Sequence, residues 1–167
     1  MINLSPLDKY KRDLEREDFQ FDLAQETAVL HLQRLYDDLK NKPLPVAGFK
    51  KVLHRWKKVY GKKSSQPIKG LYFWGGVGRG KTYLVDTFYE SLPFDNKMRV
   101  HFHRFMYRVH QELKNLTGQA DPLKIIADRF AQETCIICFD EFFVSDITDA
   151  MILGTLFEEL FARHVTL

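Results

Sequence analysis

Residues 70–85 read GLYFWGGVGRGKTYLV: four apolar or aromatic residues, a glycine-rich run, one lysine, and an immediate return to apolar spacing. Within it, Gly75-Gly76-Val77-Gly78-Arg79-Gly80-Lys81-Thr82 fits G-x-x-x-x-G-K-[ST], the phosphate-binding loop. Consecutive phosphates need several backbone N–H groups aimed into one concave ring, and glycine permits the dihedrals and the close approach that side chains would block. A following helix adds its positive N-terminal end. In this reading Lys81 lies along the β- and γ-phosphates as a point charge, and Thr82 gives its hydroxyl to Mg²⁺. The pattern requires a strand in front and a helix behind. Leu71–Trp74 is the expected strand, and Lys81–Leu92 the expected helix, with Leu84, Val85, Phe88, Tyr89 and Leu92 at helical spacing.

A phosphate loop calls for a second element, an apolar strand ending in an acid that holds magnesium from the opposite side. Ile136-Ile137-Cys138-Phe139-Asp140-Glu141 supplies that pattern. Asp140 is the expected metal residue, acting through water, and Glu141 the expected general base for the water that attacks the γ-phosphate. A hydrolytic base makes water the acceptor, which favours an NTPase over a kinase.

Outward from these elements, short apolar runs alternate with helical patterns. Arg99–His103 is a predicted strand, followed by a helix through FMYRVHQELKNL. A further helix over DPLKIIADRFAQE is capped by Asp121 with Pro122 in its first position. Ile136–Phe139 is a third strand, and Asp149–Phe161 a long helix with Leu153, Leu156, Phe157 and Leu160 inward. This alternation predicts parallel βαβ units in a three-layer α/β domain. In MRVHFHRFMYRVH, His101 and His103 fall on one face of the strand, where either could hydrogen-bond Glu141 and govern its readiness; local backbone bonding is the plainer alternative. A zinc site there would need further ligands, of which His110 is the obvious neighbour.

The N-terminal part reads differently. Ser5-Pro6-Leu7-Asp8 predicts a helix start, with a short charged helix to about Glu17. Asp22-Leu23-Ala24-Gln25 repeats the logic, and Ala28, Leu32, Leu35 and Leu39 form one stripe of a second helix before Pro43 and Pro45. The net charge of +3 conceals a basic block. Residues 40–70 hold ten of the 25 Lys/Arg and no acid, which leaves 15 basic residues against all 22 acids elsewhere, a net of −7. Phe49, Val52, Leu53, Trp56 and Tyr60 lie on one side of a predicted helix with lysines over the rest. Such a helix either meets anionic lipid, nucleic acid or an acidic partner, or packs its apolar face on its own domain.

No apolar run has the length of a membrane span, and the charged N-terminus is not a signal peptide, so a cytoplasmic location is expected. Cys135 and Cys138, read as parts of one strand, point to opposite faces and serve as buried structural residues. The domain division expected is a helical and basic lead-in over 1–66 and a nucleotide-binding core over 67–167.

GLYFWGGVGRGKT, HFHRFM, DPLKIIADRF and CFDEFFVSDITDAM together resemble the ZapE family of bacterial cell-division ATPases, members of the AAA+ superfamily. The resemblance is dense from about Lys69 to Leu167 and looser before it. It implies an AAA+-type core that binds ATP through Gly75–Thr82, holds Mg²⁺ at Asp140 and activates water with Glu141. It further implies association with the division ring, weakening of FtsZ polymers and homo-oligomerisation when nucleotide-bound. Family proteins are longer, and HVTL at 164–167 begins their fourth strand. A chain truncated there, lacking the sensor residue, arginine finger and helical lid, is expected to bind nucleotide weakly and turn over little. The alternative is a nucleic-acid-linked AAA+ ATPase resembling helicase loaders, with the basic block as its DNA surface; peripheral membrane contact through residues 50–63 is a further possibility.

Overall fold

The computed structural model describes residues 4–41, 67–76 and 78–167. The basic helix expected over Phe49–Tyr60, Pro43 and Pro45, and Val77 of the loop, lie outside the described residues.

Helix α1 spans Pro6–Asp13 and α2 spans Leu23–Asn41. Ser5 caps α1, its Oγ accepting from the Asp8 backbone N–H at 3.2 Å. The helix stops at Asp13, short of the predicted Glu17, where Leu14 donates to the Tyr10 carbonyl and the next residues close successive turns. Asp22 begins α2 through its Oδ1, which accepts from the Ala24 N–H at 2.8 Å. Leu32, Leu35 and Leu39 are buried along the predicted stripe.

Beyond the loop come α3 (Lys81–Ser91), β1 (Lys97–His101), α4 (Phe102–Asn115), α5 (Pro122–Glu133), β2 (Ile136–Asp140) and α6 (Ile147–Ala162). β1 and β2 pair in parallel, with Lys97 opposite Ile136 and His101 opposite Asp140. On the other edge of β2, Thr166 forms a parallel bridge with Ile136: Ile137 N–H donates to Thr166 O and Thr166 N–H to Cys135 O, both at 2.9 Å. The chain at Thr166–Leu167 thus enters beside β2. Gly70 packs so closely on it that an added Cβ would sit 1.5 Å from the Leu167 carbonyl oxygen, so only glycine fits there.

Helices cover both faces of this small two-stranded sheet. Successive strand residues point to opposite sides. Ile136 and Cys138 join the core built by α1, α2 and α3 through Tyr10, Val29, Leu35, Leu84 and Phe88. Ile137, with Phe139 beside it, joins the core built by α4, α5 and α6 through Phe105, Val109, Phe130, Leu156 and Leu160. Each fully buried side chain of this size contributes roughly 1.5–3 kcal/mol, so the two cores hold the short strands that position the site.

Four further expectations change. Leu71–Trp74 forms no ladder, although Leu71 and Phe73 are half-buried and Tyr72 and Trp74 exposed, the alternation of a strand. A space of about 830 Å³ lies between this segment and β2, and a strand needs a neighbour at hydrogen-bonding distance. The strand predicted to reach His103 ends at His101, because Phe102 and His103 start α4. Cys135 precedes β2, so the alternation argument does not apply to it, and both cysteines are buried in the same core. Asp121 stands at the head of α5, but at φ 51° its carboxylate makes no capping bond and pairs with Lys124 at 3.0 Å instead. The cap that does form, and that the sequence reading passed over, is Asp146 on α6. Its Oδ1 accepts from the backbone of Thr148 at 2.6 Å and Asp149 at 3.3 Å, and these bonds hold its carboxyl below the usual range.

Candidate active site

The carboxyl ends of β1 and β2 lie side by side, the position at which parallel sheets take ligands. The glycine loop reaches this end from Trp74 and runs into α3. Gly75, Gly78 and Gly80 have φ of 140°, 80° and 74°, a region that favours glycine. An added Cβ at Gly75, Gly76 or Gly78 would meet nothing within 4 Å, so the space over the loop is open. Gly80 caps α3, its carbonyl accepting from the Leu84 N–H at 3.0 Å. The first turn of α3 carries no acid, so the positive helix end is not neutralised by its own side chains.

Lys81 turns back over the loop and donates from Nζ to the Gly75 carbonyl at 2.9 Å and the Gly76 carbonyl at 2.6 Å. Arg79 points the other way and pairs with Asp22 at 2.9 Å. Gln25 Nε2 donates to the Arg79 carbonyl at 3.2 Å, so the start of α2 grips the loop from outside.

Two cavities bring the sequence-predicted residues together. Gly75, Lys81, Asp140 and Glu141 form the polar end of the 830 Å³ space, whose remaining walls are mainly apolar. Thr82 and Asp140 line a second cavity of about 290 Å³, with Asp86, Arg99, Val100 and His101. Asp140 is common to both.

Glu141 follows β2 at φ 51°, a left-handed conformation rarely adopted by a residue with a side chain, costing on the order of 1–3 kcal/mol. The strain is held by its neighbour. The Phe142 ring packs on Phe102 at 4.6 Å and on Phe139 at 5.7 Å, which pulls the backbone inward one residue beyond Glu141 and leaves the Glu141 side chain exposed at the cavity.

Sequence reasoning missed Arg99 and Asp86. Arg99 Nε donates to Asp86 Oδ1 at 2.9 Å and its Nη2 to Asp140 Oδ2 at 3.0 Å. The signal was present in the spacing: Arg99 sits two residues before His101 and so shares its strand face, and Asp86 lies one helical turn beyond Thr82.

His101 and His103 stack on each other, ring centres 5.9 Å apart, and neither hydrogen-bonds Glu141. His101 Nδ1 instead lies 4.0 Å from Asp140 Oδ2. His110 is engaged elsewhere, with Nε2 2.7 Å from Asp149 Oδ1. Cys138 is chemically quiet, because burial pushes its thiol up to about 12.

The donor set fits magnesium bound with nucleotide. One hydroxyl and one carboxylate in a shared cavity suit a hard cation that keeps several waters and takes further oxygens from phosphate. Among the described residues no group of three or more His, Cys, Asp or Glu could hold a metal. No helix among them is long and apolar enough to cross a membrane.

The chain is 52% identical over 170 residues to the cell division protein ZapE of Escherichia coli K12, covering 100% of this chain and 45% of that protein. A Schizosaccharomyces pombe protein is 35% identical over 98% of this chain and 42% of its own length. Lactation elevated protein 1 homolog B of Danio rerio is 46% identical over 57% of this chain and 21% of its own length. The chain therefore spans under half the length of the curated relatives it matches. No solved structure matches it. The profile of the AFG1-like ATPases matches residues 4–167, nearly the whole length and both sides of the phosphate loop, and the chain belongs to that family.

Proposed function

We propose that this chain carries the nucleotide site of a magnesium-dependent ATPase acting in bacterial cell division. The observation that supports it best is the convergence of Gly75, Lys81, Asp140 and Glu141, drawn from two distant stretches, on one cavity at the ends of the parallel strands.

In this reading the backbone of the glycine-rich loop cradles the phosphates at the positive end of α3. Lys81 exchanges its loop carbonyls for phosphate oxygens and offsets charge gathering on the β–γ bridge. Thr82 and Asp140 would hold Mg²⁺, which when bound would withdraw charge from the phosphates. Glu141 accepts the proton of the attacking water, so the water's oxygen becomes bonded to the γ-phosphorus as the bridge to ADP breaks. Exposure leaves the Glu141 carboxylate reachable by water.

The cellular reading rests on similarity to ZapE: association with the division ring in the cytoplasm, destabilisation of FtsZ polymers, and self-association of the full-length, nucleotide-bound protein. Residues 67–167 form the nucleotide-binding core in this view, with 1–66 as its lead-in.

The test is Glu141→Gln in the full-length protein. Turnover of ATP should fall by about 10²–10⁴-fold, the usual contribution of a general base, while ATP binding by calorimetry is retained. Turnover equal to wild type would remove Glu141 from its role. Co-sedimentation with FtsZ polymers, with and without ATP, tests the partner; salt-sensitive binding to DNA with no effect on FtsZ would favour the helicase-loader reading instead.

A further inference from the structure

We propose that Arg99 is a positioning residue for magnesium, a strap that fixes Asp140 and the helix carrying Thr82 relative to each other. The inference rests on the magnesium-nucleotide reading of the site.

Arg99 extends from β1 towards α3 and divides its guanidinium between two elements. Nε holds Asp86 on α3 at 2.9 Å, and Nη2 holds Asp140 at the end of β2 at 3.0 Å. α3 also carries Thr82, one turn before Asp86 and on the same helix face. The two candidate magnesium donors, the Thr82 hydroxyl and the Asp140 carboxylate, therefore stand on elements joined by this one side chain, and all four residues line the 290 Å³ cavity.

The bonding at Asp140 is one-sided. Arg99 Nη2 and the more distant His101 Nδ1 both approach Oδ2, and among the described residues none bonds Oδ1. A carboxylate held by one oxygen has its plane restricted and its other oxygen free for a metal-bound water. A guanidinium suits this task because its planar fork offers several donors in fixed geometry, whereas an ammonium is a point charge. The Arg99 side chain is only 19% exposed, and its Nη1 is buried with no partner. Its two carboxylates thus leave the fork unsaturated.

Charge alone makes the opposite forecast. Asp86, Asp140 and Arg99 together carry −1, and removing the cation leaves two carboxylates that should attract Mg²⁺ more strongly. Positioning says that losing the cation weakens Mg²⁺ binding, since outer partners that orient a ligand are commonly worth 10–100-fold in metal affinity.

The experiment titrates MgCl₂ into full-length protein holding mant-ATP, a fluorescent ATP analogue, and compares wild type with Arg99→Met, Arg99→Lys and Asp86→Asn. For Arg99→Met the Mg²⁺ midpoint should rise by about tenfold or more, while mant-ATP affinity in EDTA stays at the wild-type value. Arg99→Lys should recover part of the loss, and Asp86→Asn, which removes the charge but keeps an accepting oxygen and so weakens the far end of the strap, should show a smaller rise. If Arg99→Met fails to fold, the other two variants carry the same expectation. An unchanged or lowered midpoint would overturn the proposal, as would a loss that is equal in EDTA and tracks the melting temperature. Wild type that binds no mant-ATP would instead overturn the nucleotide reading itself.

Discussion

Asp22, at the head of α2, and Arg79, inside the phosphate loop, are joined carboxylate to guanidinium at 2.9 Å although 57 residues separate them in sequence. The same Asp22 caps α2 through Oδ1, which also accepts from Arg79 Nη2 at 3.3 Å, and Gln25 one turn on donates to the Arg79 carbonyl. The loop is therefore shaped from outside by the head of α2 as well as from inside by its glycines.

Replacing Asp22 by Ala should cost more than replacing Arg79. The first change removes a helix cap worth about 1 kcal/mol and an exposed ion pair worth about 0–1 kcal/mol; the second removes only the pair. Urea unfolding of both single variants and the double variant reads the difference. Equal costs would mean that the cap contributes nothing.

Gly80→Ala should be damaging at a position that looks permissive. The backbone sits at φ 74°, and the new Cβ would lie 2.7 Å from Gln25 Nε2. A left-handed conformation costs a residue with a side chain about 1–2 kcal/mol before any clash. Gly80→Ala combined with Gln25→Ala should recover the clash but not the conformational part, and thermal melts of the two variants separate them.

Lys81→Ala should lower ATP affinity by about tenfold or more, since charged hydrogen bonds are worth roughly 1.5–3 kcal/mol. The folded state should change little, because the Lys81 amine bonds, among the described residues, two exposed loop carbonyls. Calorimetric titration with ATP beside a urea melt checks both halves.

Phe142→Ala should reduce turnover while leaving ATP binding intact. The Phe142 ring packs on Phe102 and Phe139 and holds the turn that sets Glu141 at φ 51°. Loss of this partly exposed aromatic anchor should destabilise the protein by about 1–3 kcal/mol, the common range for a point change. Single-turnover kinetics at saturating ATP should show the slower chemical step; an unchanged rate would mean that Glu141 holds its place without the ring.

Alkaline stability should depend on Cys138. Its thiol is raised from 9.0 to about 12 by burial, so the folded chain keeps a proton that the unfolded chain releases. Stabilisation from this group is complete below pH 9.0 and disappears as pH climbs towards 12. Wild type should lose up to about 1.4 kcal/mol per pH unit through this group in that window, and Cys138→Ala, less stable at neutral pH, should lack the slope. Urea midpoints from pH 7 upward in the presence of a reductant measure it.

Much of the fold was legible because local chemistry dictated it. Ser5 with Pro6, the stripe of Leu32, Leu35 and Leu39, and the apolar run at Ile136 each state their element through capping or periodicity. Leu71–Trp74 shows the limit: it has the alternation of a strand, but whether a strand forms depends on a neighbour that alternation cannot see. His103 shows another, since a helix beginning directly after β1 turned a strand residue into a helical one.

The same division holds for the site. By itself the sequence determined the glycine-rich loop running into Lys81 and Thr82, and the acid pair Asp140-Glu141, because these motifs are written in residue type at fixed short spacing. Only the tertiary structure decided that both stretches face one cavity, that Asp22 and Gln25 grip the loop, and that Arg99 ties Asp86 to Asp140. Those contacts cross between helices and strands far apart in the chain, and their distances are set by how two separate cores pack against the two faces of one small sheet.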